Sequence, residues 1–276
     1  MKAFTLSLFL LCFCSLSAQE TAQNIPYGNN PAAGHYLEIA GTRLYYEIYG
    51  EGEPLLMLHG GVYGYIDEFT PLIPELAKQY QVICLATRGH GKSEIGHQPF
   101  TYRQRAGDAY ELIQHLKLEK VRVIGFSDGG TTALHLAALH PEAVYKLVAM
   151  GVGEIPAGSR EESFSYSAES LLTEAKAYFE SRLELMPEPD RWDESLQMLN
   201  QLYNNAALDA GTLKKIKCPV LLMNGDHDQY YPIAKVVRAY EAVPAGLLSV
   251  IPGCGHVIFY CNLPAVLAGI TPFLKD

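Results

Sequence analysis

The ten residues Val121-Arg-Val-Ile-Gly-Phe-Ser-Asp-Gly-Gly130 limit the possible folds of this chain more than any other stretch. A β-branched, apolar run passes through Gly125-Phe126-Ser127-Asp128-Gly129 into the helix-favouring segment 131–140. That is G-x-S-x-G between a strand and a helix, the setting in which the motif carries meaning. Such a turn lifts a serine oxygen off the end of a sheet, in a strained backbone conformation that flanking glycines make room for. The N–H of Asp128 then lies at the start of the helix, where backbone donors are free to bind an oxyanion.

The rest of the chain has to supply a sheet for that turn to sit on. With 276 residues and 49% hydrophobic content, it can build one domain with a large core, or one domain carrying an insertion. Lys plus Arg number 21 and Asp plus Glu 30, a formal charge of −9. That acidic balance argues against nucleic acid as a partner, because neutralising phosphates needs clustered cations.

Met1-Lys2, the apolar run 3–13 and Ser15-Leu16-Ser17-Ala18-Gln19 read as a secretory signal peptide over residues 1–19. The run is too short for a bilayer span, which takes about 20 residues. An anchor helix is the alternative. The reading implies an exported chain, periplasmic or secreted, of bacterial type, without stable membrane insertion once the signal is removed. The mature chain keeps Cys84, Cys218, Cys254 and Cys261. Cys254 and Cys261 are close enough to pair, but four buried thiols are the preferred reading. No cysteine or histidine spacing suggests zinc.

Taken in order, segments 35–40 and 42–49 predict two strands joined by Gly41, and the apolar run 54–58 predicts a strand covered on both faces. His59-Gly60-Gly61 follows. Segment 67–80 predicts a helix, 81–86 a buried strand, and 101–118 an amphipathic helix. After the elbow, 147–150 predicts another strand. Strands alternating with helices imply right-handed crossovers and a largely parallel sheet. Between residues 155 and 211 that rhythm stops: the stretch lacks apolar strand runs, favours helices at 170–185 and 194–208, and holds eleven acidic against four basic residues. It reads as a helical cap inserted into a core formed by 20–154 and 212–276. The cap's acidic surplus either disfavours anionic substrates or forms a solvated face. Strand 220–224, helix 233–243, strand 247–252 and helix 265–274 then complete the core.

A serine hydroxyl becomes nucleophilic when a base takes its proton, and that base is usually a histidine held by a carboxylate. Gly225-Asp226-His227-Asp228 and Gly253-Cys254-Gly255-His256 each follow a predicted strand, which places them on the same sheet edge as Ser127. The order serine, acid, histidine assigns Ser127, Asp228 and His256. Asp228 is preferred over Asp226, which suits a turn-shaping role, and Glu154 is a third candidate. His59 is expected to brace its loop. The oxyanion donors are expected to be the N–H groups of Gly61 and Asp128, with Val62 as a substitute for the first. No cofactor is called for. Ala86-Thr-Arg-Gly-His-Gly91-Lys92-Ser93 resembles a phosphate-binding loop, but Gly96, His97 and Pro99 follow where that loop needs a helix.

On His59-Gly60-Gly61, Arg88-Gly89-His90-Gly91, the elbow, Gly225–Asp228 and Gly255-His256, the chain resembles the α/β-hydrolase superfamily from about Tyr36 to Leu274. The Ser127-Asp128-Gly129-Gly130 elbow and the cap between late strands are similar to biphenyl-hydrolase-like and valacyclovir-hydrolase-like serine esterases. The resemblance implies an α/β-hydrolase fold and hydrolysis of a small-molecule ester or amide. Aminopeptidase or carbon–carbon bond hydrolase activity is the enzymatic alternative, and a non-catalytic ligand-binding receptor the other. Thr87 departs from the family pattern, in which aspartate often precedes Arg-Gly, and this is expected to alter loop bracing only.

Overall fold

Wholly apolar strand runs need cover on both faces, and the computed structural model, which describes residues 25–159 and 163–275, arranges them accordingly. Among the described residues, eight strands form one sheet in the order β1-β2-β4-β3-β5-β6-β7-β8. They are β1 (Gly34–Ile39), β2 (Thr42–Tyr49), β3 (Glu53–Leu58), β4 (Tyr80–Leu85), β5 (Val121–Phe126), β6 (Val144–Met150), β7 (Val220–Gly225) and β8 (Gly246–Ile251). β1 pairs antiparallel with β2 and β2 antiparallel with β4, while every pairing from β4 through β8 is parallel. This is the α/β-hydrolase architecture that the sequence implied. Every residue of β5 and β7 is buried.

Helices α2 (Tyr102–His115), α3 (Asp128–Leu139), α7 (Ile233–Ala242) and α9 (Leu263–Leu274) cover the sheet, along with the single turns α1 (Ile73–Leu76) and α8 (Ile258–Cys261). Thr101 caps α2 by accepting the Gln104 N–H at 2.9 Å. Two apolar clusters, one on each face of the sheet, form the core.

The long helix expected at 67–80 does not form. A 3-10 turn at Ile66–Phe69 and the single turn α1 stand there instead, and Tyr80 already belongs to β4. Pro71 and Pro74 explain the difference, since each removes a helical N–H donor and crowds the preceding turn.

Between β6 and β7 lie α4 (Ala168–Leu183), α5 (Trp192–Asn204) and the short α6 (Ala210–Leu213). Ile155 and Leu208 pair as an isolated antiparallel bridge, with N–O distances of 3.0 and 2.8 Å, which draws the two ends of this helical segment together. Arg182 of α4 makes a two-pronged pair with Asp67, both contacts at 2.8 Å, tying the segment to the loop after β3.

The expectation of four buried thiols is corrected. Cys254 and Cys261 form a disulfide with Cα atoms 5.8 Å apart, while Cys84 and Cys218 are free and buried. A one-turn helix between the two cysteines brings their Cα atoms within bridging range. The expected signal peptide lies outside the described residues. Among the described residues, no helix is long and apolar enough to cross a membrane.

Candidate active site

Parallel strands deliver their carboxyl ends to one edge of the sheet, and three loops meet there. Ser127 follows β5 directly with φ 52° and ψ −112°, a left-handed position that a serine occupies only when its surroundings force it. Its N–H donates to the Met150 carbonyl at 2.8 Å, and a side chain at Gly129 would collide with the Leu58 carbonyl of β3. Small residues therefore let the elbow and α3 press against the sheet.

His256, five residues past β8, lies with Nε2 2.9 Å from Ser127 Oγ and Nδ1 2.8 Å from Asp228 Oδ2. A carboxylate can only accept, so the Nδ1 proton points at Asp228 and Nε2 is left to accept from the serine hydroxyl. The Asp228 side chain is fully buried. Its other oxygen accepts the N–H groups of Tyr230 and Tyr231 at 2.8 and 3.0 Å, so the loop after β7 holds the acid in place. Gly151 makes space for the imidazole, because a Cβ there would come within 2.9 Å of His256 Cε1.

The alternatives have other partners. Asp226 accepts the Gly253 N–H at 2.7 Å, bonding the loop after β7 to the loop that carries His256. Glu154 pairs with Arg238 at 2.9 Å. In the stretch resembling a phosphate loop, Arg88 is buried against Asp108, with contacts of 2.8 and 2.9 Å.

His59 is buried, and its Nε2 accepts the Thr87 N–H at 3.0 Å, so Nδ1 carries the proton and donates to the Gly60 carbonyl at 2.8 Å. The Thr87 hydroxyl lies 3.1 Å from His90 Nδ1, a second buried imidazole. Burial holds His59 well below the usual imidazole range and His90 at about 4. Both imidazoles stay neutral in the fold while the unfolded chain protonates them near 6.5, so their contribution is intact above pH 6.5 and is lost as pH falls toward 4. Each imidazole can steepen the loss by up to about 1.4 kcal/mol per pH unit. Urea unfolding across that window should therefore show proton uptake, and His90→Gln should flatten the slope. An unchanged slope in that variant would contradict the assignment.

The Asp128 carboxylate, next to the serine and eighth in the stretch Val121–Gly130, is buried in a hub that sequence reasoning missed. Oδ1 accepts the Tyr102 hydroxyl at 2.5 Å, and Oδ2 accepts Arg105 Nη1 at 2.7 Å and the Tyr203 hydroxyl at 2.9 Å. Burial beside this carboxylate pushes both phenols well above their usual range, so they remain donors. Breaking one side of such a buried pair typically costs about 3–5 kcal/mol. The carboxylate therefore docks α5 onto α2 and α3. The sequence signal was Arg105 itself, at a core-facing position in the amphipathic pattern of α2.

Gly61, Val62, Ser127, Asp128 and His256 all line one cavity of about 760 Å³. The Gly60 N–H is taken by Glu68 at 2.7 Å. Burial raises the Glu68 carboxyl to about 8, so it is largely protonated at neutral pH. Of the aromatic residues in the helical segment, Tyr166 and Tyr203 reach the cavity, while Phe179 and Trp192 pack on each other 5.7 Å apart. Phe164, Tyr63, Tyr230 and Tyr231 also line it. Their positions follow from loop paths, which no periodicity announces.

A family model described as alpha/beta hydrolase fold matches residues 53–182. The chain is 26% identical to human serine hydrolase BPHL over 230 residues, covering 79% of this chain and 78% of that one. It is 24% identical over 251 residues to the 2-hydroxy-6-oxo-6-(2'-aminophenyl)hexa-2,4-dienoic acid hydrolase of Metapseudomonas resinovorans, covering 80% and 83%. Among solved structures, the esterase EaEST from Exiguobacterium antarcticum superposes with a TM-score of 0.71 at 26% identity, covering 88% of this chain and 100% of the other.

Proposed function

The chain belongs to the α/β-hydrolase superfamily and is similar to the BPHL-type serine hydrolases, and on that footing we propose that it hydrolyses a carboxylic ester or amide of a small molecule through an acyl-enzyme on Ser127. The observation that carries this reading is the unbroken run of contacts from Asp228 through His256 to Ser127 Oγ. His256 takes the serine proton as the hydroxyl attacks the carbonyl, and the Asp228 carboxylate stabilises the imidazolium that forms. The N–H groups of Gly61 and Asp128 receive the oxyanion, a kind of contact worth about 3 kcal/mol to the transition state. His256 then protonates the leaving group and activates the water that releases the acid.

The cavity favours a substrate with an aromatic or mixed polar and apolar body, because six tyrosines, Phe126 and Phe164 surround the serine beside only a few charged groups. With Asp128 paired to Arg105 and Glu68 largely protonated, these two acidic side chains of the cavity wall put little negative charge beside Ser127. A second reading, hydrolysis of a carbon–carbon bond beside a carbonyl by the same side chains, is favoured by the likeness to the dienoic acid hydrolase. Export of the chain remains part of the proposal, and the Cys254–Cys261 pairing agrees with an oxidising compartment.

A panel of p-nitrophenyl acyl esters beside aminoacyl naphthylamides tests the class of reaction. Turnover of the esters with little or none of the naphthylamides is expected. The reverse order would move the assignment to an aminopeptidase, and no turnover of either would favour the receptor reading.

A further inference from the structure

The proton-transfer loop has a weak point and a brace across it. His256 sits in a segment flanked by Gly253, at φ 73°, and Gly255, so its backbone has few intrinsic restraints. Its imidazole must nevertheless hold two contacts of 2.8 and 2.9 Å at once. The Cys254–Cys261 disulfide spans this segment, starting two residues before His256 and ending five residues after it. On the far side of the bridge the one-turn α8 is well anchored. Ile258 and Phe259 are buried, with the Phe259 ring 5.1 Å from Phe126 and 5.9 Å from Phe69. On the near side Cys254 is buried, and its carbonyl accepts the His227 N–H at 3.0 Å, next to the Asp228 loop. The bridge thus carries the rigidity of α8 to the residues that precede the histidine.

We infer that the Cys254–Cys261 disulfide is the positioning element of the His256 loop, and that its reduction by a dithiol turns hydrolysis down without emptying the binding cavity. This rests on the proposed role of His256 as the base. Cys261 is exposed while Cys254 is buried, so an incoming thiolate reaches the Cys261 sulfur. The S–S bond breaks, Cys254 leaves as a thiolate and takes a proton, and a mixed disulfide forms on Cys261. The second thiol of the reagent then displaces Cys261. The reagent ends as a cyclic disulfide, having given two electrons, and the protein ends with two thiols. Cys84 and Cys218 are buried and free, outside the bridge, so they do not enter the exchange.

Loss of this brace lets the imidazole drift from Ser127 and Asp228, while Tyr63, Tyr166 and Tyr203, which line the cavity from outside residues 254–261, are untouched. A misplacement of about 1 Å at a reacting group costs on the order of a hundredfold in rate. The reduced enzyme should therefore show kcat lower by about ten- to a hundredfold with KM changed by less than about twofold, since only orientation is lost. Reoxidation with glutathione disulfide should restore kcat.

The test compares oxidised and dithiothreitol-treated full-length protein, with thiols counted by mass spectrometry, on p-nitrophenyl butyrate. Amide hydrogen exchange over residues 253–261 is followed in parallel, and the Cys254→Ala/Cys261→Ala double variant stands in for the reduced form. Lower kcat, near-constant KM, faster exchange in that segment, and a double variant that no longer responds to dithiothreitol support the inference. Unchanged kcat or unchanged exchange after complete reduction overturns it, as does a parallel loss of kcat and global melting. If the oxidised protein hydrolyses nothing, the functional reading fails, and the exchange measurement alone decides whether the bridge restrains the loop.

Discussion

Ser127→Ala should abolish turnover of p-nitrophenyl acetate and butyrate, lowering kcat by up to about 10⁶-fold, the range seen when a hydrolase loses its nucleophile. The fold should survive the change. Among the described residues Ser127 Oγ bonds to His256 alone, whereas the strained turn is held by the Ser127 N–H to Met150 and by glycine packing against β3. Removing one hydroxyl also disturbs nothing in the sheet, because β5 ends at Phe126 and each of its residues is buried without help from the serine side chain. An unchanged melting temperature with lost turnover separates a chemical role from a structural one. An unchanged rate would remove Ser127 from the mechanism.

Asp228→Asn should cost about 10⁴-fold in kcat, because the amide can donate to His256 Nδ1 and so moves the imidazole proton to Nε2, where it no longer accepts from the serine. The geometry makes this variant informative. Asp228 Oδ1 accepts two backbone N–H groups, from Tyr230 and Tyr231, and an asparagine oxygen can keep both. The loop should therefore hold its shape while the tautomer of His256 reverses. Full activity in this variant, checked with the same esters, would pass the acid role to another group. Asp226 and Glu154 are poorly placed to take it, since one is bonded to Gly253 and the other to Arg238.

The sheet was legible because its strands are short, apolar and punctuated. Runs such as 54–58 and 220–224 have no polar face, so only a doubly covered parallel sheet accommodates them. Ser127, Asp228 and His256 were legible for a related reason: each stands just past such a run, and parallel strands bring those ends together. The Asp128 hub was not legible, because it joins residues 102, 105, 128 and 203 from three elements whose relative placement depends on packing. The failed helix at 67–80 shows the limit of periodicity, where leucines at helical spacing were outweighed by two prolines. The disulfide was visible as a possible pair. What decided it was the single turn of α8, too short to be predicted from pattern, which folds Cys261 back over Cys254.

The central claim is that three side chains converging at one rim of the sheet make the Ser127 hydroxyl a nucleophile. Its most direct test is mass spectrometry of the protein quenched in acid during turnover of p-nitrophenyl butyrate. A protein heavier by one acyl group, with that group on the peptide containing Ser127 and absent in Ser127→Ala, is the predicted result. Ester turnover with no acyl group on that peptide, or with one on a different residue, would contradict it.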